Sequence, residues 1–221
     1  MAFPDNVLQF WFGSRDAPDY GTRRAIWFES TEEQDVEIRD SFLATYESAL
    51  AGTFDPHKES PDGCLALIVT LDQLPRNMFR ATPRSFEADP VALEYARFAL
   101  ERGHDESYPP LIRIFFYLPF EHSEVLSDQQ RCMELIHALP EYPDKPRNIK
   151  FGGRHLEIIE RFGRFPHRNA ILGRTSTPGE IEFLKEPDSS FIWPRNRQQR
   201  VESTRAKPRT PSERETTSKN S

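Results

Sequence analysis

The chain has 221 residues, of which 37% are hydrophobic, 29% charged and 12% aromatic, with a formal net charge of -6. This profile is too aromatic for a wholly disordered polypeptide, and the length suffices for one real core. The longest apolar run, Leu65 to Val69, falls far short of the ~20 residues a bilayer helix takes, while two cysteines and a Met-Ala-Phe-Pro-Asp start without a basic leader point to the cytoplasm, without membrane contact or a disulfide scaffold.

In chain order, Ser30-Thr31-Glu32-Glu33 reads as a capping box for a helix from Asp35 to Ala51. Its Ile38, Phe42, Tyr46, Ala49 and Leu50 recur on one face, and Gly52 ends it. Ser60-Pro61 opens a second helix, apolar on every side from Cys64 to Val69 and therefore central. Pro75 removes an amide donor and obstructs the carbonyl four residues back, so this helix should kink or end around Asp72 to Leu74. Asp89-Pro90 starts a third helix, Val91 to Arg102, stopped by Gly103, and Pro109-Pro110 precedes the run from Leu111 to Phe120. Ser127-Asp128-Gln129-Gln130 reads as a capping box for a helix reaching Leu139. Lys145 to Gly153 reads as irregular, ahead of a helix carrying Leu156, Ile158 and Ile159 that stops near Gly163. Thr177-Pro178-Gly179-Glu180 caps a last helix through Leu184. Helices of this length joined by short links imply an all-α, antiparallel helix array.

The expected organisation is a single helical domain over residues 1–186 and a disordered basic tail over 187–221. From Arg195 onward eight Lys/Arg face three Asp/Glu, a net +5, so residues 1–194 carry -11. In that stretch Val201 is the one large aliphatic residue, too little burial to offset ordering. A body this acidic repels phosphate backbones, which makes nucleic acid an unlikely partner.

Three segments put polar residues where a helical core would not. In Leu71 to Arg80, Asp72, Gln73, Arg76 and Asn77 continue the most apolar helix, and Asp72 and Arg76, four apart, can pair if the turn persists. In Tyr117 to Glu124, Pro119 is followed by Glu121, His122 and Glu124. His122 and Glu124 would point about 200° apart on a continuous helix, so they converge only if the chain leaves the helix after Pro119. In His155 to Arg174, arginines alternate with Phe162 and Phe165 around Arg164, His167, Arg168 and Asn169. Each segment also has a plain reading, in which its polar groups satisfy backbone released by a proline. Arg76-Asn77 is echoed by Arg168-Asn169, as a helix-pair repeat or chance would leave them.

A carboxylate beside an imidazole can orient it for acid–base work, and arginine's fork suits an anionic oxygen pair. These residue types define the candidate site: His122, His167, Glu124 and Asp72 for chemistry, and Gln73, Arg76, Asn77, Arg164, Arg168 and Asn169 for ligand binding. Asp72, His122, Glu124, His155 and His167 are also metal-ligand types, but none has a dedicated spacing, so no metal or other cofactor is assigned. No nucleophile elbow, Walker loop or dinucleotide glycine motif is present.

The opening Phe10-Trp11-Phe12-Gly13, Leu71-Asp72-Gln73 with Pro75-Arg76-Asn77 and Phe79-Arg80, Tyr117-Leu118-Pro119 with Glu121-His122-Ser123-Glu124, and Arg161 through Asn169 carry a resemblance. Over Val7 to Leu184 the chain resembles the mainly bacterial family known as domain of unknown function 924. The resemblance implies a tetratricopeptide-like α-α superhelix; it supplies neither an activity nor a catalytic residue. Two functions follow from the residues. One is a pocket that binds or transforms a small anionic metabolite by acid–base or metal-assisted chemistry. The alternative is a tetratricopeptide-like module that binds a peptide, with these polar residues structural. Oligomeric state is left open.

Overall fold

The computed structural model describes residues 2–187 and 189–191, and among them there is no β-strand. Most of the expected basic tail lies outside the described residues. Helix α1 (Asp5–Phe12) buries Val7, Trp11 and Phe12. Helix α2 (Glu32–Leu50) presents Ile38, Phe42, Tyr46 and Ala49 to the core and stops before Gly52, whose φ of +77 suits a residue without a Cβ.

Helix α3 (Pro61–Ile68) is the axis of the fold. Ser60 accepts from the Gly63 amide, Pro61 sits in the first turn, and every residue from Gly63 to Ile68 is buried. Burying each Leu or Ile there is worth about 2 kcal/mol, so any polar group carried on into this core must be paired or cost a comparable amount. The α-helix gives way before Pro75 to a π-helical turn over Val69–Gln73, and the rod resumes as α4 (Leu74–Met78). The wider turn absorbs the donor that Pro75 lacks, and π-turns of this kind frequently mark functional sites.

Helices α5 (Asp89–Glu101), α6 (Pro110–His122), α7 (Leu126–Ala138) and α8 (Lys145–Phe162) each pack on the next in sequence, while α5 and α6 also pack on α3, and α2 packs on α4. This is a helical array compatible with a tetratricopeptide-like arrangement. Helix α9 (Pro178–Phe183) has the expected box, Thr177 accepting from Glu180 N and Glu180 reaching back.

Local departures have local causes. The first capping box is shifted by one residue, Thr31 with Gln34, because Ser30 is spent on Asp35. Ser127 caps nothing. Helix α7 begins at Leu126, and Ser123 links the Val125 amide to Asp128 across its start. Pro119 lies inside α6, which continues to His122 before Ser123 turns extended. Lys145 to Gly153 is no irregular approach but the first half of α8. Gly152 is what permits its close packing, since a Cβ there would stand 2.8 Å from Met133 Sδ and 3.3 Å from Glu121 Oε2.

Candidate functional site

The π-turn rotates Asp72 to the side of the rod that faces the end of α6, where its carboxylate accepts from His122 Nδ1 at 2.7 Å. Asp72 is fully buried, and His122 is about one-seventh exposed. Gln73 Nε2 and Arg76 donate to the same carboxylate, Arg76 at 3.2 Å. With Nδ1–H committed to Asp72, the other imidazole nitrogen, Nε2, is an acceptor, which is the tautomer a proton-accepting histidine needs.

Asp89, at the first turn of α5, ties the arginines together. Arg76 reaches it at 3.0 Å and also donates to Ser85 O at 2.9 Å. Arg168 reaches it at 3.3 Å and also donates to His122 O at 3.1 Å. The two arginines of the repeated Arg-Asn pairs therefore meet on one carboxylate. Arg168 is held in a 3-10 turn, Pro166–Arg168, and its guanidinium lies 4.6 Å from the ring centres of both Phe86 and Phe165. Although buried, its Nε has no partner, and neither has the buried Nδ1 of neighbouring His167. Such atoms are rare enough in folded proteins to call for an explanation.

Behind the dyad lies a second carboxyl–imidazole contact, His155 Nδ1 at 3.2 Å from Glu121 Oε1 and 2.9 Å from Phe151 O. The His155 and His122 rings are 6.2 Å apart. Burial, assisted by the Asp72 charge, pushes the Glu121 carboxyl up to about 8, so it is protonated at neutral pH. Burial opposes ionisation of Asp72 as well, but His122 and Arg76 outweigh it and hold that carboxyl well below the usual range. Two neighbouring carboxyl groups are thus driven apart, one a proton donor and one a fixed anion, as acid–base sites arrange them. All three histidines are shifted down, chiefly by burial: His122 with help from Arg76, His155 with help from His122, and His167 to about 3 with help from Arg168.

The remaining expected residues are placed elsewhere. Glu124 borders the cluster but is spent on the Phe165 amide at 2.7 Å and on Arg174 at 2.7 and 3.0 Å, so it does not converge with His122. Asn169 accepts from Arg174 Nε and donates to Ser176, and Arg164 clasps Glu180 with two hydrogen bonds and donates to Thr175 O. These four side chains, Glu124, Arg164, Asn169 and Arg174, brace the loop that carries His167 and Arg168. Asn77 faces the opposite side of its helix, toward Asp35 and Ser30. Among the described residues no group of three or more His, Cys, Asp or Glu side chains is placed to hold a metal ion. Asp89 escaped the sequence reading because Asp-Pro signals a helix start, and nothing in that dipeptide says that the carboxylate looks back at two distant arginines.

The sequence profile of a family described as "Bacterial protein of unknown function (DUF924)" matches residues 7–188. A solved structure of a protein of unknown function from Agrobacterium tumefaciens is similar, with 37% sequence identity, a TM-score of 0.72, and coverage of 82% of this chain and 96% of that one. No curated protein matches. The match runs from within α1 through α9 and includes every residue of the cluster so far described, from Asp72 to Arg174, and on that breadth the chain belongs to the DUF924 family.

Proposed function

We propose that the Asp72–His122–Arg168 cluster binds a small monoanionic metabolite and moves a proton on it, with His122 as the proton acceptor, Asp72 orienting it, and Arg168 and His167 holding the anionic oxygens. The observation that carries this reading is the unpartnered Nε of the buried Arg168, whose guanidinium donates to His122 O at 3.1 Å, together with the unpartnered Nδ1 of the preceding residue, His167. The first is a hydrogen-bond donor with no acceptor, and the second is one when the neutral imidazole carries its proton on Nδ1; an oxygen of a bound carboxylate supplies the acceptor.

Charge bookkeeping narrows the ligand. Asp72, Asp89 and Glu124 offset Arg76, Arg168 and Arg174, while Glu121 and the three histidines are neutral near pH 7. With no surplus of positive charge, a monoanion held by hydrogen bonds fits better than a dianion such as phosphate, which two nearby carboxylates repel. No helix among the described residues is long and apolar enough to cross a membrane. The free, buried thiols of Cys64 and Cys132 support a cytoplasmic site of action.

Calorimetric titration with acetate and with inorganic phosphate tests the reading. Acetate should bind the parent chain more tightly than phosphate does, and Arg168→Gln should weaken acetate at least about tenfold, the worth of a charged hydrogen bond. No saturable acetate binding, or binding indifferent to Arg168→Gln, would remove the proposal. The peptide-binding alternative draws on a depression of about 390 Å³ between the end of α2 and α5, lined by Leu50, Lys58, Val91, Glu94, Tyr95 and Phe98. It gains if the anions fail.

A further inference from the structure

Phe191 lies just past the stretch matched by the family, residues 7–188, and its ring is set into the cluster. It lies parallel to the His155 imidazole, 3.5 Å between centres at 12°. It meets His167 edge-on at 5.6 Å and 80°, and Phe165 edge-on at 6.3 Å and 88°. One parallel ring and two perpendicular rings thus form a flat slot whose walls all belong to the family-matched body, while its occupant does not. Face-to-face and edge-to-face contacts together select a flat aromatic group over a bulky aliphatic one. Both imidazoles in the walls are held neutral, so a ring entering the slot displaces no charge.

The slot adjoins the anion-holding atoms. Phe165, one of its walls, carries the Arg168 guanidinium 4.6 Å from its ring centre, and His167, another wall, owns the unpartnered Nδ1. We infer that the slot filled by Phe191 is the aromatic-ring subsite of the ligand site, so that the ligand is a small aryl carboxylate whose ring replaces Phe191 while its carboxylate meets Arg168 and His167. This rests on the monoanion reading of the cluster. In the absence of ligand, Phe191 is an intramolecular competitor, and its occupancy lowers the apparent affinity by the fraction of molecules in which the slot is filled.

The experiment compares the full chain with Phe191→Ala, titrated with phenylacetate, acetate and benzyl alcohol. Phenylacetate should bind Phe191→Ala about tenfold more tightly than the parent, as expected for an occupant present nine-tenths of the time, while acetate affinity stays the same in both. Equal phenylacetate affinity in the two chains overturns the inference. So does an acetate gain as large as the phenylacetate gain, which would make Phe191 a general cover. If benzyl alcohol gains in the variant but acetate binds neither chain, the ring slot stands and the monoanion reading falls. If acetate binds both and no aromatic probe gains, the reverse holds. Phe191→Leu, which keeps apolar bulk without the flat ring, is the second variant should Phe191→Ala lose its fold, and it should show the same ordering with a smaller gain.

Discussion

Two polar networks flank the proline-bearing segment that ends the central rod, and they are built to opposite rules. On the α2 side, Asp35 accepts from Ser30 at 2.9 Å, Asn77 at 2.8 Å and Arg80 at 2.7 and 2.9 Å. Burial works against its charge, but those donors keep the carboxyl below its ordinary value, and none of the network's fully buried side-chain atoms is left without a partner. On the α6 side, Asp72 is equally well supplied, yet around it stand a protonated Glu121, three histidines kept neutral, and buried nitrogens of Arg168 and His167 with no partner. A network whose purpose is to hold two helices together closes on itself. One left open at buried positions has been paid for in stability without a structural return, and a ligand supplies the missing partner.

Substitutions that separate the two networks should show this in order of size. The largest effect is expected at Asp35→Ala, which strands Arg80 and Asn77 in a largely buried setting and should cost about 3–5 kcal/mol of unfolding free energy by urea denaturation, with acetate affinity unchanged. A loss below about 1 kcal/mol would break the contrast. Arg168→Gln should cost less, under about 2 kcal/mol, because Asp89 keeps Arg76 and the desolvation of a buried guanidinium is relieved.

The pH dependences are opposite in sign. Glu121 has a folded value near 8 against an ordinary 4.5, so the folded state holds a proton that the unfolded state has released. Its contribution is complete below pH 4.5 and is lost as pH rises toward 8, by about 1 kcal/mol per pH unit. Thermal melts of Glu121→Gln should therefore gain on the parent steadily from pH 5 to 8, and a constant difference would contradict the assignment. His167 is depressed from 6.5 to about 3, so its contribution is present above pH 6.5 and lost as pH falls toward 3. His167→Asn should flatten that acid limb, leaving the alkaline side as it was.

How far the sequence carries can be read from these same residues. Helix positions were legible because their signals are local: Ser60-Pro61, Thr177 with Glu180, and glycines at positive φ at 52, 103 and 163. The Asp72–Arg76 pair was legible for the same reason, being four residues apart on a turn that persists. Asn77 and Arg76 are adjacent, however, and nothing local says that one faces Asp35 and the other Asp89. Direction around a helix widened by a π-turn is set by packing, not by spacing. Arg164 and Asn169 looked like ligand residues because arginine and asparagine suit both a substrate and a loop brace, and only the placement of Glu180 and Arg174 distinguishes the two uses. Phe191 was grouped with a polar tail whose composition averaged over it.

The central claim, that Arg168 keeps a donor free for a bound carboxylate, is tested most directly by following arginine Nε–H resonances of the 15N-labelled chain during an acetate titration. The Arg168 resonance should shift saturably, with the dissociation constant found by calorimetry, while that of Arg80 stays fixed. An Arg168 signal that does not move through saturation, or that moves no more than Arg80, would contradict the account.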